Sequence, residues 1–546
     1  MKMKKPWRLV AAVALVGTIA AACGDDSDSG SSDTTAAGST AGGGSTAAPS
    51  GSTTTAAPKF DPNAILKAGR NLTTAADISF DPLKSTNPTP YGTQILVYGS
   101  LLTRDDKGQL QPGFATKWAV KDPQTISLEL RPNLKFSDGK PLDMNAVKFS
   151  LERHARATGQ TGMRPEMQQI NTVNVIDPLK GEITFKTPVA GAFLSELDAG
   201  EGMIVSPDAA AGDLNTKPVG AGPFMLESAT QADSIKLKKN PNYYAADTVR
   251  VAGITFTHVT PGASATNALR SGAVDILQPS TITADQFAAL KGDSSFSTDS
   301  TVSPNTYGNI YMCKKNAPLD NKLVRQALNY AVDRDVVITT IQNGLGEPAW
   351  GMWPKGHKFY DASLDGVYKR DVNKAKQLLA QAGFPNGLTI DTYFSPGGDR
   401  LAELIQNQVK EAGITLTISP TTDPFNDFLV ENSKKPMWIA SFSGAATRRL
   451  TRLYLPEAST NPCRYNNPTL NGLVAQLLAV SEDDPKAVDL WKQIQQLIIR
   501  DEALAVQLAF SPVYNAWSNK IGGVSFEEGE GNAVRTPSLA KLYVKA

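Results

Sequence analysis

The sequence predicts a mixed α/β protein of more than one domain, and three observations carry that prediction. The chain has 546 residues, whereas single hydrophobic cores rarely grow past ~250–300 residues. Residues 388–418 read as strand, helix, strand, the pattern of a βαβ unit. Alternating segments crowd the first half of the chain, and apolar stripes at helical spacing crowd the second. The composition, 41% hydrophobic and 20% charged, is that of a globular protein. A net charge of +1 argues against a nucleic-acid partner, which would call for a basic surface. Three Cys exclude a disulfide scaffold. The three His (His154, His258 and His357) are far apart and leave little for a His-built metal site, so neither metal nor cofactor is expected.

Taken in order, the N-terminus is an address. Lys2, Lys4, Lys5 and Arg8 precede a 14-residue apolar or small run, Leu9 to Ala22. That is short for a membrane span of ~20 residues but right for a secretory signal. The run ends Ala20-Ala21-Ala22-Cys23. Small residues before a Cys resemble the bacterial lipoprotein cleavage site, although Ala20 stands where Leu is usual. Residues 1–22 then form the signal peptide, and Cys23 accepts a lipid. The alternative is an ordinary secretory signal followed by a chance Cys. Residues 24–58 contain only Gly, Asp, Ser, Thr, Ala and Pro. Such a segment cannot bury enough apolar area to order itself, so 23–58 is expected to be a lipidated tether reaching roughly 30–35 Å. The signal holds four of the 54 positive charges and the tether four of the 53 negative ones, leaving a balanced 50 and 49 in the body.

In the body, Gln124–Leu130, Glu182–Thr187, Ser234–Lys239 and Val251–Val259 alternate as strands. A helix begins near Asp143, with Met144, Val147 and Leu151 on one face. In the second half, Asp320 is expected to cap a helix carrying Val324, Ala327, Leu328, Ala331 and Val332. Val336, Val337 and Ile341 follow, ending at Gly344. Ala375, Leu378, Leu379 and Ala382 make a further stripe, stopped by Gly383. Strand Leu388–Tyr393, helix Asp399–Ala412 and strand Ile414–Ile418 predict two parallel strands with a right-handed crossover. Leu470, Leu473, Val474, Leu477 and Leu478 form a last stripe.

No catalytic motif stands out. The body lacks G-x-S-x-G, a Walker-type loop, H-E-x-x-H and C-x-x-C. Gly220-Ala221-Gly222-Pro223 looks like a phosphate loop, but Pro223 removes an amide that a phosphate would want. No catalytic residue is therefore expected.

Several ordered strings carry a family resemblance. Residues Leu130 to Arg153, LRPNLKFSDGKPLDMNAVKFSLER, closely resemble the signature of the family 5 extracellular solute-binding proteins, the peptide/nickel-type receptors of bacterial ABC importers. Phe80-Asp81-Pro82, Gly220 to Phe224, Asn240 to Tyr244, Val324 to Arg334 and Lys374 to Phe384 follow the family's order. Asp138-Gly139 suits a tight turn, and Gly220 and Gly222 suit a bend without side chains, so these strings are read as scaffold.

The resemblance implies two α/β lobes joined by a hinge, with a further domain inserted in the first lobe. Lobe I is assigned to 59–98, 217–308 and 515–546, the inserted domain to 99–216 and lobe II to 309–514. The chain would cross near Tyr307 to Asn309 and return near Ser511 to Trp517. In peptide receptors of this family an Asp in the region corresponding to Met437 to Leu453 holds the ligand's amino terminus. Here Ile439 to Arg449 reads IASFSGAATRR, with Phe442 in a Trp position and no carboxylate until Glu457. The ligand-binding candidates are Tyr307, Asn309, Trp350, Trp353, Phe442, Ser443, Arg448 and Arg449. The arginines would suit an anionic or carboxylated ligand. The alternative is a solvated helix face, and for the two tryptophans a cover over the core. The implied partners are a small solute or peptide, an ABC permease and ATPase, and the membrane through Cys23, with the receptor a monomer outside the cytoplasm. A surface-tethered sensor or hydrolase on the same fold is the alternative function. Cys313 and Cys463 remain as a pair, to be read as a disulfide or as two buried thiols.

Overall fold

The computed structural model describes residues 59–546 except 85–90, 106–108, 158–164, 199, 396, 430–432, 444–445, 457, 459–460 and 528–535. The signal, Cys23 and the tether lie outside the described residues. Among the described residues no helix is long and apolar enough to cross a membrane.

Two long strands organise the body. The outgoing strand Phe296–Met312 and the return strand Ala505–Ser518 pair antiparallel from Phe296↔Ser518 to Tyr311↔Ala505. They sit in the middle of one mixed sheet. On one side the order continues through Met437–Ser443 and Leu388–Phe394 to Ile414–Pro420. On the other it continues through Ile276–Leu277, Ile65–Arg70, Gly253–His258 and Ser234–Lys239 to Phe224–Thr230. The register shifts between Val302 and Tyr307, where the pair passes from one half of the sheet to the other. That irregularity leaves residues 303–306 unpaired with the return strand at the place where the halves meet.

Leu388–Phe394 and Ile414–Pro420 are parallel, Leu388 opposite Ile414, with helix Asp399–Lys410 between them. Its Ala402, Ile405 and Val409 join Val324, Leu328, Val337 and Leu379 in a core on one face of the sheet. A second core on the other face gathers Trp353, Phe428, Trp438, Leu450 and Trp491. Helix Lys322–Ala331 is capped one residue later than read from sequence: Asn321, not Asp320, accepts from the Leu323 amide at 2.9 Å. Both residues suit an N-cap, and the chain path chooses between them.

In the first half, Leu66, Phe80, Phe224, Ile254 and Phe256 make one core. Leu101, Phe114, Ile126, Leu151, Ile183 and Phe193 make a separate one. The latter lies around a four-stranded antiparallel sheet, Ala115–Asp122, Thr125–Leu130, Lys180–Phe185 and Ile170–Asp177 in spatial order. Helix Met144–Ala155 packs on it, capped by Asp143 through the Asn145 and Ala146 amides.

The motif strings hold these pieces together. Arg153 Nη2 grips both Asp81 carboxylate oxygens at 2.9 Å. A Cβ on Gly220 or Gly222 would stand 2.3 Å from the Val97 carbonyl oxygen or 2.6 Å from that of Leu96, so only glycine lets this bend approach the end of helix Tyr91–Tyr98. Asn240 Nδ2 donates to the Gly222 carbonyl at 2.8 Å. Arg334 donates to the Gln507 and Tyr368 carbonyls and to Asn329 Oδ1. The strings are load paths, and the site lies elsewhere.

Candidate functional site

A cavity of about 280 Å³ opens against the crossover strands. The outgoing strand supplies Gly308, the return strand Leu508, Ala509, Ser511, Pro512 and Tyr514. From the first half of the sheet come Thr283 and Ala284, at the start of helix Ala284–Lys291. From the second come Val337 and Ile341 of helix Arg334–Ile341, its C-cap Gln342, Leu401 of the βαβ helix, and Ser441. The cavity is therefore walled from both halves and floored by the strands joining them. Among the described residues no charged side chain is in its lining.

Sequence alternation explains the floor. Val506 and Leu508 face the same core as Ile310, so Gly308, two residues before Ile310, leaves open space above that face. A Cβ on Gly308 would meet Leu508 side-chain atoms at 3.5 and 3.6 Å, an ordinary contact. Gln342 Nε2 donates to Ser511 Oγ at 3.0 Å, tying this helix end to the return strand, while its Oε1 is buried with no partner among the described residues. Such an acceptor is costly unless something donates to it. Tyr514 packs against Phe287 with ring centroids 5.0 Å apart, and burial pushes its hydroxyl pKa up to about 12, so it stays a neutral donor.

Charge appears next to the lining. Asp285 follows Ala284 and accepts from Asn343 Nδ2 at 2.7 Å, a contact between the two halves. Arg400 precedes Leu401; it is exposed and donates to the Thr340 carbonyl at 3.2 Å. One carboxylate and one guanidinium thus flank a neutral chamber.

The residues singled out from sequence fall in three groups. Tyr307 pairs by backbone with Phe442 and Phe510, and Thr306 with Ser443, directly beside the cavity floor. The side chains of Tyr307, Phe442 and Ser443 lie outside what the structure describes. Asn309 is fully buried opposite Gln507, on the other face of the strands from Gly308, and neither amide has a partner among the described residues.

Trp350, Trp353, Arg448 and Arg449 are not in the lining. Trp350 lies over Arg334, whose guanidinium carbon is 4.7 Å from the ring centroid. Trp353 stacks on His357 at 4.0 Å and meets Phe359 and Trp491 in the second core. Burial first, and then Lys358 and Arg104, lower the pKa of His357 to about 4, so the stack is neutral. Arg449 is fully buried and donates to the carbonyls of Pro304 (3.2 Å) and Met352 (3.2 Å). Arg448 pairs with Glu196 and, at 3.5 Å, with Glu201. Neither arginine is on a solvated face, and the guanidinium of each is taken up by protein groups. Cys313 and Cys463 are joined as a disulfide, Cα atoms 5.4 Å apart.

Sequence reasoning missed Gly308, Gln342, Ser441, Ser511 and Tyr514. The signals were positional: Gly308 lies between Tyr307 and Asn309, Ser441 precedes Phe442, and Ser511 and Tyr514 fall within the expected return segment Ser511 to Trp517. Among the described residues no group of His, Cys, Asp and Glu could hold a metal ion.

Comparisons fit this geometry. The glutathione-binding protein GsiB of Salmonella paratyphi A is 26% identical over 482 residues, 84% of this chain and 91% of its own. The periplasmic binding protein DppA of Helicobacter pylori, solved with the peptide STSA, superposes with a TM-score of 0.75 at 21% identity, covering 89% of this chain and 99% of its own. The binding protein AgaA of A. tumefaciens R10, solved with agropinic acid, gives 0.74 at 23% identity, covering 88% and 99%. These neighbours share the two-lobe fold. Residues 109–461, more than half of the chain, match the bacterial extracellular solute-binding proteins, family 5 (Middle), and the chain belongs to that family.

Proposed function

We propose that this protein is the solute receptor of an ABC importer, closing two lobes around a small zwitterionic ligand such as a short peptide or amino-acid derivative. The observation that supports this is the cavity walled from both lobes. At ~30 Å³ per water it holds about nine waters, the scale of a small solute. An apolar chamber with a few hydroxyl and amide groups suits such a ligand's body. Asp285 and Arg400 would take its ammonium and carboxylate, a role that these exposed charges fit better than the ion-paired Arg448 and the fully buried Arg449 do. The names of the relatives, a glutathione binder and receptors solved with a peptide and with an acid, agree with an ampholyte. A ligand touching both walls shifts the lobes by its differential affinity for the closed state. Lipidation of Cys23 would hold the receptor at the outer face of the membrane, with residues 24–58 giving it reach to the permease.

Isothermal titration with reduced glutathione, di- and tripeptides and carboxylated amino-acid derivatives tests the reading. Gly308→Val fills the floor without backbone conflict and should weaken any binder at least tenfold. Asp285→Asn and Arg400→Gln should each weaken zwitterions more than their amidated or acetylated forms. Tight binding that is indifferent to Gly308→Val would sink the assignment of the cavity.

A further inference from the structure

Away from the cavity, the inserted domain meets lobe II through buried charge. Helix Ala190–Phe193 lies against the end of helix Pro468–Ala479. The fit is backbone to backbone: a Cβ on Gly191 would stand 2.1 Å from the Val480 carbonyl carbon and 2.6 Å from the Ser481 nitrogen. Beside it, Arg104 of the inserted domain holds Asp198 through Nε at 2.7 Å and reaches Glu482 of lobe II through Nη1 at 3.1 Å. The side chains of Arg104 and Asp198 are 4% and 2% exposed. From the opposite direction, Arg448 of lobe II reaches Glu196 and Glu201 of the inserted domain, with 10%, 8% and 1% exposure. Each domain thus sends one arginine into the other's carboxylates, around a glycine contact that admits no side chain.

We infer that this interface is a closure latch: it holds the inserted domain on lobe II whether or not a solute is bound, so the ligand-free receptor already populates the closed form. None of the latch residues lines the cavity. The ion pairs join surfaces that the crossover strands do not connect, so hinge opening must separate them. Apart from Glu482, whose side chain is 20% exposed, these side chains are 10% exposed or less, below those of ordinary surface bridges, which contribute little. Separation rehydrates both partners, so the latch biases an equilibrium and remains reversible. It would also raise the apparent solute affinity, because binding energy that is not needed to drive closure shows as tighter binding.

The test uses the full chain with Cys23→Ser, in which Cys313 and Cys463 are bonded to each other and leave added thiols as the labelling sites. Ile176→Cys in the inserted domain and Val488→Cys in lobe II, 63% and 44% exposed, receive spin labels. Double electron–electron resonance without ligand should show a dominant short-distance population. Arg448→Met should lower the ratio of short to long distances at least tenfold. Gly191→Ala, which wedges the contact and leaves every charge in place, should do the same and keeps the test valid if the arginine variant fails to fold. Ligand-free protein found only in the long-distance population, or both variants leaving the distribution unmoved, would overturn the latch.

Discussion

Lys314 offers a sharp test of the forces inside lobe II. It follows Cys313, is 7% exposed, and its Nζ lies 5.5 Å from the Tyr454 ring centroid and 5.1 Å from that of Tyr465. Burial, with Arg325 as a lesser cause, lowers its pKa from 10.5 to about 7. At 1.36 kcal/mol per unit that shift is worth about 5 kcal/mol against the charged form. Two desolvated cation–π contacts return about 0.5–2 kcal/mol each, leaving about 1–4 kcal/mol. The folded state therefore binds fewer protons than the unfolded state between pH 7 and 10.5, and stability rises with pH across that window. Below pH 7 the cost is present in full. Lys314→Met keeps the length and removes the charge. Urea unfolding followed by circular dichroism should find the variant about 1–4 kcal/mol more stable at pH 6 and equal to the parent near pH 10. A variant whose stability runs parallel to the parent's across this range, or which is weaker at pH 6, would refute the argument.

Other outcomes follow from the same structure. The Cys313–Cys463 bridge closes 150 residues, so chain entropy gives about 5 kcal/mol as its ceiling; replacing both by Ser should lower the denaturant midpoint accordingly, and an unchanged midpoint would contradict this. Arg449→Ala leaves the Pro304 and Met352 carbonyls unpaired and should cost about 2–6 kcal/mol at about 1–3 per buried group, read as a fall in melting temperature. His357 has its pKa lowered from 6.5 to about 4, so its neutral stack on Trp353 is complete above pH 6.5 and stability is lost as pH falls toward 4. His357→Gln should flatten the parent's acid limb over that window in thermal melts, and an unaltered limb would count against it.

The sequence by itself determined the local elements and, through its ordered strings, the family. Periodicity of two and 3.6 residues is a property of the chain, so the βαβ unit at 388–418 and the helix after Asp143 were legible without coordinates. The strings were conspicuous because they meet demanding local constraints: Gly220 and Gly222 leave room for Leu96 and Val97, and Arg153 needs Asp81. The site was legible only to its neighbourhood. Tyr307, Asn309 and Phe442 bracket it, but which of two successive residues faces the cavity depends on strand register, and the shift between Val302 and Tyr307 resets that register.

The tertiary structure decided the rest. Arg448 and Arg449 look equivalent in sequence, yet successive helical positions point about 100° apart. One reaches the inserted domain's carboxylates and the other clamps the crossover from within. Trp353 and His357 found each other in a core, and Cys313 found Cys463 across 150 residues. The disulfide is a long-range pairing chosen by packing; the Trp353–His357 stack spans only four residues, but burial by Phe359 and Trp491 is what makes it part of a core. The cavity is the same kind of fact, since Thr283, Gln342, Ser441 and Tyr514 share a wall only after both lobes have folded on the two strands that join them.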